Sequence, residues 1–302
     1  MRLSLRHVAV LVTIACVADI VPLGDGEAAD RAVPTVSPFL DSAILPASRS
    51  VELGSTATVY AALVNGSTAA FDNCQIALPN GAPTGLTMHY QTTDPATNLA
   101  TGTPDTPVTI PGNNGVQTFV LSFTGTAGEP FDASALAPSF TCGSGDGALA
   151  APIWAGLNTV DLAMATTPVP DIVAVTGTPG TQDIVILSYN GAGVFAGAFS
   201  VAGFNLGIAA PITVSVDTSG LRFPVSALIC QTAPDTGQCM APPTTTVSLA
   251  YDGGAIETFS VFLQATGGSG VVLITDRAFV NFTDDQGLSR GAASVGVATG
   301  PG

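Results

Sequence analysis

The chain has 302 residues, 46% of them hydrophobic and 10% charged, which is enough apolar material for two ordinary cores and too much for a disordered protein. Its 34 Gly and 22 Pro, set among Thr, Ser, Ala and Val, favour short strands and tight turns over long amphipathic helices. All seven basic residues are Arg, and the formal net charge is -15. Such a chain repels phosphate backbones, so nucleic acid is excluded as a partner. Without Lys there is no phosphate-loop lysine, no Schiff-base lysine and no Lys–Asn cross-link.

At the N-terminus, Arg2 and Arg6 precede an apolar run from Val8 to Val21 that is too short, and too interrupted by Asp19, to span a bilayer. Residues 1–28 are read as a signal peptide, with cleavage after Ala18 or Ala28. Lipidation at Cys16 is the alternative, but Thr13 replaces the Leu that an acylation site wants. No later segment holds 18 consecutive apolar residues, so the mature chain is expected to lack a transmembrane segment.

Comparison of the chain with itself at an offset of about 140 residues places Gln91-Thr92 over Gln231-Thr232 and Val116-Gln117-Thr118-Phe119 over Ile256-Glu257-Thr258-Phe259. Asn113-Asn114 falls over Gly253-Gly254, and Phe140-Thr141 over Phe282-Thr283 after a small insertion. Runs of strand length recur in both parts: Thr56 to Val64, Val116 to Phe123, Val194 to Val201, Ile212 to Val216 and Ile256 to Leu263. The expected fold is all-β, with two tandem immunoglobulin-like antiparallel β-sandwich domains at residues 29–165 and 171–302. Between them Pro168 and Pro170 favour a stiff connector over residues 166–170.

Removal of the signal leaves Cys74, Cys142, Cys230 and Cys239, two in each half, and export favours their oxidation. Pairing within the halves is expected: Cys74 with Cys142 as a bond between two sheets, and Cys230 with Cys239 around a short turn-rich loop. Tyr90 and Leu99 are the expected first-half counterparts of Cys230 and Cys239.

The stretch Cys230-Gln231-Thr232-Ala233-Pro234-Asp235-Thr236-Gly237-Gln238-Cys239-Met240-Ala241-Pro242-Pro243, with Thr258-Phe259 and Arg290-Gly291, resembles a group of secreted tandem immunoglobulin-like β-sandwich proteins of Gram-negative bacteria. Tyr90-Gln91-Thr92-Thr93 and Gly156-Leu157-Asn158-Thr159 extend the likeness over most of the mature chain. That group is uncharacterised. The resemblance therefore implies an exported bacterial protein and no activity.

His89 is the only histidine left once His7 departs with the signal, and no Gly-x-Ser-x-Gly elbow accompanies it, so no catalytic residue is expected. The four Glu (27, 52, 129 and 257) leave a glycosidase little beyond Asp, most of which falls in turns. Asp284 and Asp285, with Asp276, offer oxygen ligands of the kind calcium accepts, but the loop lacks calcium-loop spacing and an exposed hairpin turn explains it. A single Trp and four Tyr are thin material for a sugar-binding face, and Trp154 is assigned to core or interface packing. Asn65-Gly66-Ser67 and Asn281-Phe282-Thr283 match the glycosylation sequon.

No cofactor and no metal are expected. The leading expectation is an exported non-enzymatic module at the cell surface, in the periplasm or in a matrix, acting through a protein partner or self-association. The alternative is a ligand-binding protein for glycan or calcium that uses loops at the sandwich ends.

Overall fold

The computed structural model describes residues 39–126, 130–143, 147–180, 183–189, 193–266 and 276–300. The expected signal peptide, with Cys16, lies outside the described residues. No described helix is long and apolar enough to cross a membrane. The described structure is all β.

One buried cluster runs from Leu40 to Met164 and a second from Ile172 to Val297. Around the first, one sheet has the order β1 (Leu40–Leu45), β3 (Thr56–Asn65), β7 (Gly115–Gly125), β5 (Leu86–Thr93). Completing the first half are a second four-stranded sheet, β10 (Leu149–Ala150), β9 (Ser139–Cys142), β4 (Phe71–Ala77), β6 (Val108–Ile110), and a separate three-stranded one, β2 (Ser48–Glu52), β11 (Val160–Ala165), β8 (Phe131–Leu136). Alternation along β3, with Ala57, Val59, Ala61 and Leu63 buried and Thr56, Thr58 and Tyr60 exposed, is the period-two pattern of a strand with one wet face.

The succession of pairings recurs in the second half. There the order β12 (Ile172–Gly177), β14 (Val194–Asn205), β18 (Ile256–Thr266), β16 (Val225–Thr232) is set against β13 (Ile184–Tyr189), β20 (Ser289–Thr299), β19 (Arg277–Asp284), β15 (Ala210–Asp217), β17 (Thr246–Tyr251). Two pairs are parallel, β2 with β11 and β13 with β20, which corrects the purely antiparallel expectation. In both halves the chain leaves the first sheet, where β1 pairs β3 and β12 pairs β14, and its next strand runs parallel to the last strand of that half, β2 with β11 and β13 with β20.

Buried asparagines organise the same corner of each half. Asn65 donates to the carbonyls of Ala69 (2.8 Å) and Ile110 (3.1 Å) and accepts from the Ser67 N–H (2.9 Å). Asn205 donates to the carbonyls of Ile208 (2.8 Å) and Tyr251 (3.3 Å) and accepts from the Gly207 N–H (3.0 Å). Each side chain thus satisfies the backbone of a tight turn where strand pairing stops. The Asn65 amide is engaged and fully buried, which leaves its sequon without an acceptor for sugar.

Register corrects the counterparts of the Cys230–Cys239 clip by one position. Thr93 bridges to Ala100 and its hydroxyl donates to Thr118, while Thr232 bridges to Cys239 and its hydroxyl donates to Thr258. The first-half counterparts are therefore Gln91 and Ala100, not Tyr90 and Leu99. The shift arises because Thr93 and Thr118 are 25 positions apart, whereas Thr232 and Thr258 are 26 apart. At this turn Asn98 and Gly237 both take left-handed conformations (φ 55° and 67°), which Asn tolerates and Gly adopts freely. In the first half Asp94 holds the turn by accepting from the Ala96 and Thr97 N–H groups at 2.9 Å each. Ala233 has no such carboxylate, and there the disulfide does the holding.

The structure pairs Cys74 with Cys142 and Cys230 with Cys239. The first bond joins β4 to β9, neighbours in one sheet, rather than two facing sheets: Gln75 pairs with Thr141 and Ile76 with Phe140 in the same ladder. At the matching point of the second half Phe282 lies opposite Val214, and Ile212 lies opposite Asp284.

Candidate functional site

The two cores meet along β20, which is buried on both faces because the first half covers its outer side. Its small residues permit that approach. The Ala292 N–H donates to Ser48 Oγ at 2.6 Å, and Ser294 Oγ donates to the Gly156 carbonyl at 2.7 Å. Gly156 is left-handed (φ 75°), and any Cβ there would run into the Phe279 ring.

Arg49 and Asp171 cross the junction. Arg49 Nη2 donates to Asp171 Oδ2 at 2.8 Å and Nε to Oδ1 at 3.2 Å, in the two-pronged geometry that suits a guanidinium and a carboxylate. Asp171 also accepts from the Ser50 N–H at 2.9 Å, and its own N–H donates to Asn205 Oδ1 at 3.1 Å. The side chains are 11% and 6% exposed, so both charges are largely desolvated and depend on each other.

Every described arginine is held in this way. Arg222 pairs with Asp276 at 2.8 Å, Arg277 with Asp183 at 2.9 Å and Arg290 with Asp284 at 2.7 Å, and of the four only Arg222 has a mainly exposed side chain. Among the described residues, the arginines that could meet an anionic ligand are tied to the frame.

Beside the junction lies a cleft of about 230 Å³, lined from the first half by Ala47, Ala135, Gly156, Thr159 and Asp161 and from the second by Asp217, Phe279, Asn281 and Ala292. Burial pushes the Asp161 carboxyl above its ordinary value, the Ala135 N–H draws it back and Asp132 raises it further. Asp132 is itself raised, first by burial, then by Asp284, against the pull of Arg290. Asp41 is raised by burial alone. Asp284 goes the other way: burial raises it, but donors from Leu288, Arg290 and Gln286 together hold it below the usual carboxylate range.

These directions set an acid profile. A raised folded carboxyl binds its proton more tightly than the unfolded chain, so Asp161, Asp132 and Asp41 cost stability at neutral pH and that cost disappears as pH falls through their folded values. Asp284 contributes stability above the unfolded value of 3.8 that is lost as pH falls through its lowered folded value. The melting temperature is expected to rise from pH 7 to a maximum near about pH 4 and to fall below it. Asp161→Asn should raise the melting temperature at pH 7 and leave it unchanged at the maximum, as calorimetry across this range would show. Equal effects at both pH values would remove Asp161 from the account.

The sequence candidates fall elsewhere. Asp284 is not an exposed turn residue, since its side chain is only 8% exposed and its carboxylate accepts from the Leu288 N–H (2.9 Å), the Gln286 N–H (3.0 Å) and Arg290 Nε (2.7 Å). Asp285 is exposed, as a turn residue should be, and Asp276 stands at the opposite end of β19, about 26 Å away at strand rise. No group of three metal-ligating side chains occurs among the described residues. Asp284→Ala is expected to lower stability by about 2 kcal/mol, because Arg290 loses its partner, and Asp285→Ala by less than about 0.5 kcal/mol, with calcium changing neither melt. A calcium-dependent rise in melting temperature would restore the metal reading.

His89 Nδ1 lies 2.6 Å from Asp105 Oδ2 on the open face of β5, opposite Ser122 on β7. Burial raises the Asp105 carboxyl, but donors from His89 and the Tyr90 N–H and the His89 charge outweigh that and keep it low. The pair is 64% and 45% exposed and lies outside the cleft at the junction. Trp154 is half-buried in a loop and belongs to neither core; its carbonyl accepts from the Leu157 and Asn158 N–H groups at 3.0 and 3.1 Å. Sequence reasoning missed Arg49, Asp171 and Asn205, and read Asn65 only as part of a sequon. The rarity of cations was the one available clue to the first two.

No family model matches the chain, and no curated protein matches it. Among solved structures, the N-terminal domain of PorA aligns with 42% of this chain and 99% of its own at 13% identity and a TM-score of 0.30. The major pilin subunit BcpA of Bacillus cereus aligns over 76% of this chain and 69% of its own, at 11% identity and a TM-score of 0.26. The CupB6 tip adhesin from Pseudomonas aeruginosa aligns over 86% and 99%, at 8% identity and a TM-score of 0.24. Likenesses this remote carry no argument about function.

Proposed function

We propose that the chain is an exported, non-enzymatic structural or interaction protein, built as two copies of one β-sandwich domain at residues 29–165 and 171–302 with the connector 166–170 between them. It acts at the cell surface, in the periplasm or in a matrix, through protein contacts. The observation that carries this reading is the use of the described arginines: all four form ion pairs within the frame, and one of them ties the first core to the second. Two disulfides, each within one half, suit an oxidising compartment. The matching order of pairings in the two halves supports duplication.

Cross-linking on intact cells of the native host, followed by identification of the partners, tests the proposal. Cross-links to exterior proteins or to a second copy are the expected result. Selective binding on a glycan array, or calcium binding by titration calorimetry, with no protein cross-link would replace it with the ligand-binding alternative.

A further inference from the structure

Among the described residues, the outer face of the sheet β12–β14–β18–β16 is uncovered except at the end of β16, where the Cys230–Cys239 clip covers Cys230 and Thr232 (2% and 4% exposed). Inward-facing Phe199, Val201, Phe259 and Val261 fill the second core, so the alternate residues of the same strands point outward. No outward position on these four strands carries a charge, in a protein with a net charge of -15.

Two apolar patches lie on this face. At one end Phe204 pairs with Ile256 (37% and 61% exposed), with Val175 beside them on β12. At the other end Leu228 pairs with Phe262 (44% and 39% exposed). Between the patches runs a band of hydroxyl residues, where Ser200 meets Ser260 and Thr258 lies beside the buried Thr232.

The band makes little demand on water. Thr232 Oγ1 donates to Thr258 Oγ1 at 2.7 Å, Thr258 Oγ1 bonds the Thr232 carbonyl at 3.2 Å, and Ser200 Oγ donates to the Gly177 carbonyl at 3.2 Å. Hydroxyls already satisfied within the sheet lose little on burial. Ala196, Ala198 and Ala202 on the central strand keep the surface low enough for a second sheet to approach.

We propose that this face packs against the same face of a second copy of the chain in a two-fold-symmetric dimer. The proposal deepens the interaction role given above and rests on it. The apolar–hydroxyl–apolar pattern reads the same in both directions along the strands. A two-fold axis through the band therefore lays each copy's Phe262 patch over the other's Phe204 patch and hydroxyl over hydroxyl, as an isologous contact requires. Elsewhere two strongly acidic chains repel each other, and here no like charges meet. At about 16 Å² of sheet per residue the face measures about 600 Å². Two copies would then bury about 1,200 Å², the lower end of specific interfaces, with strands crossing at about 30°.

Sedimentation velocity on the mature, oxidised full chain from about 1 μM to about 100 μM tests this. The wild type is expected to dimerise within that range. Phe262→Glu should weaken the dimer by at least about 100-fold, because each interface would then contain two desolvated carboxylates. Ala198→Glu, at the cross-strand neighbour of Phe262, should do the same and serves if the first variant folds poorly. Val116→Glu, at an exposed site in the first half, should leave the dimer intact. A wild type that stays monomeric at the highest concentration overturns the dimer, while cross-links to another exterior protein would still support the broader role. A dimer that survives both β-sheet substitutions, or that Val116→Glu also dissociates, overturns the choice of face.

Discussion

Asp171→Ala is expected to lower the unfolding free energy by about 3–5 kcal/mol, the typical result when one member of a buried ion pair is removed. Arg49 would remain with its side chain 11% exposed and no counter-charge, still donating to the carbonyl and the hydroxyl of Thr58. The Ser50 N–H, buried and pointed at Asp171 Oδ1, would lose its acceptor as well. The two cores are separate clusters, so the variant should retain its strands and lose the coupling between halves before it loses either fold. Arg49→Met combined with Asp171→Leu should recover much of the loss, because two buried charges are replaced by apolar groups of similar size. Denaturant unfolding of wild type, single and double variants measures both effects. A single-variant loss below about 1 kcal/mol would mean that water already solvates the pair, and would end its role as the junction's clasp.

How far the sequence was legible depends on which interactions are local. Strands β3, β7, β14, β15 and β18 fall on β-branched and aromatic runs recognised in advance, because a period-two pattern is written in consecutive residues. Strand β20, Ser289–Thr299, was marked only at its entry, Arg290-Gly291. Its Gly and Ala content suggests loop, yet those small residues are what allow it to lie between its own core and the first half, touching Ser48 on one side. Register was half legible. Phe140 and Phe282 do occupy matching places, but the clip loop is displaced by one residue, because compensating length changes lie on either side of it and leave the overall offset unaltered.

Candidate-site residues were legible mainly as chemical types. Asp284 was noticed as a carboxylate in a turn, but Arg290, six positions on, is what makes it a buried partner. Arg49 and Asp171 are 122 positions apart, and only the meeting of the halves joins them. The parallel pairs β2–β11 and β13–β20 are likewise tertiary facts, invisible to any window of adjacent residues.

Replacing Cys74 and Cys142 together by Ala is expected to destabilise the first half by about 4 kcal/mol on the chain-entropy model, since the bond closes a long loop in the unfolded chain. For a half of this size that corresponds to a fall in melting temperature of about 10–15 °C. Both sulfurs sit in the first core, at 0% and 1% exposure, on β4 and β9, whose ladder holds the pair close together, with Cα atoms 3.9 Å apart. The second half needs no such bond at the same ladder, where Ile212 and Asp284 face each other and Asp284 is held by Arg290. Its transition should therefore stay within about 2 °C of wild type. Removing Cys230 and Cys239 should cost less, about 3 kcal/mol, because the loop is short. Even that value is an upper figure, since the first half holds the same turn with hydrogen bonds, those of Asp94 among them, and no disulfide. Calorimetry of the two double variants decides between them: a larger loss from the short clip would mean that the disulfides act through native packing and not through loop closure.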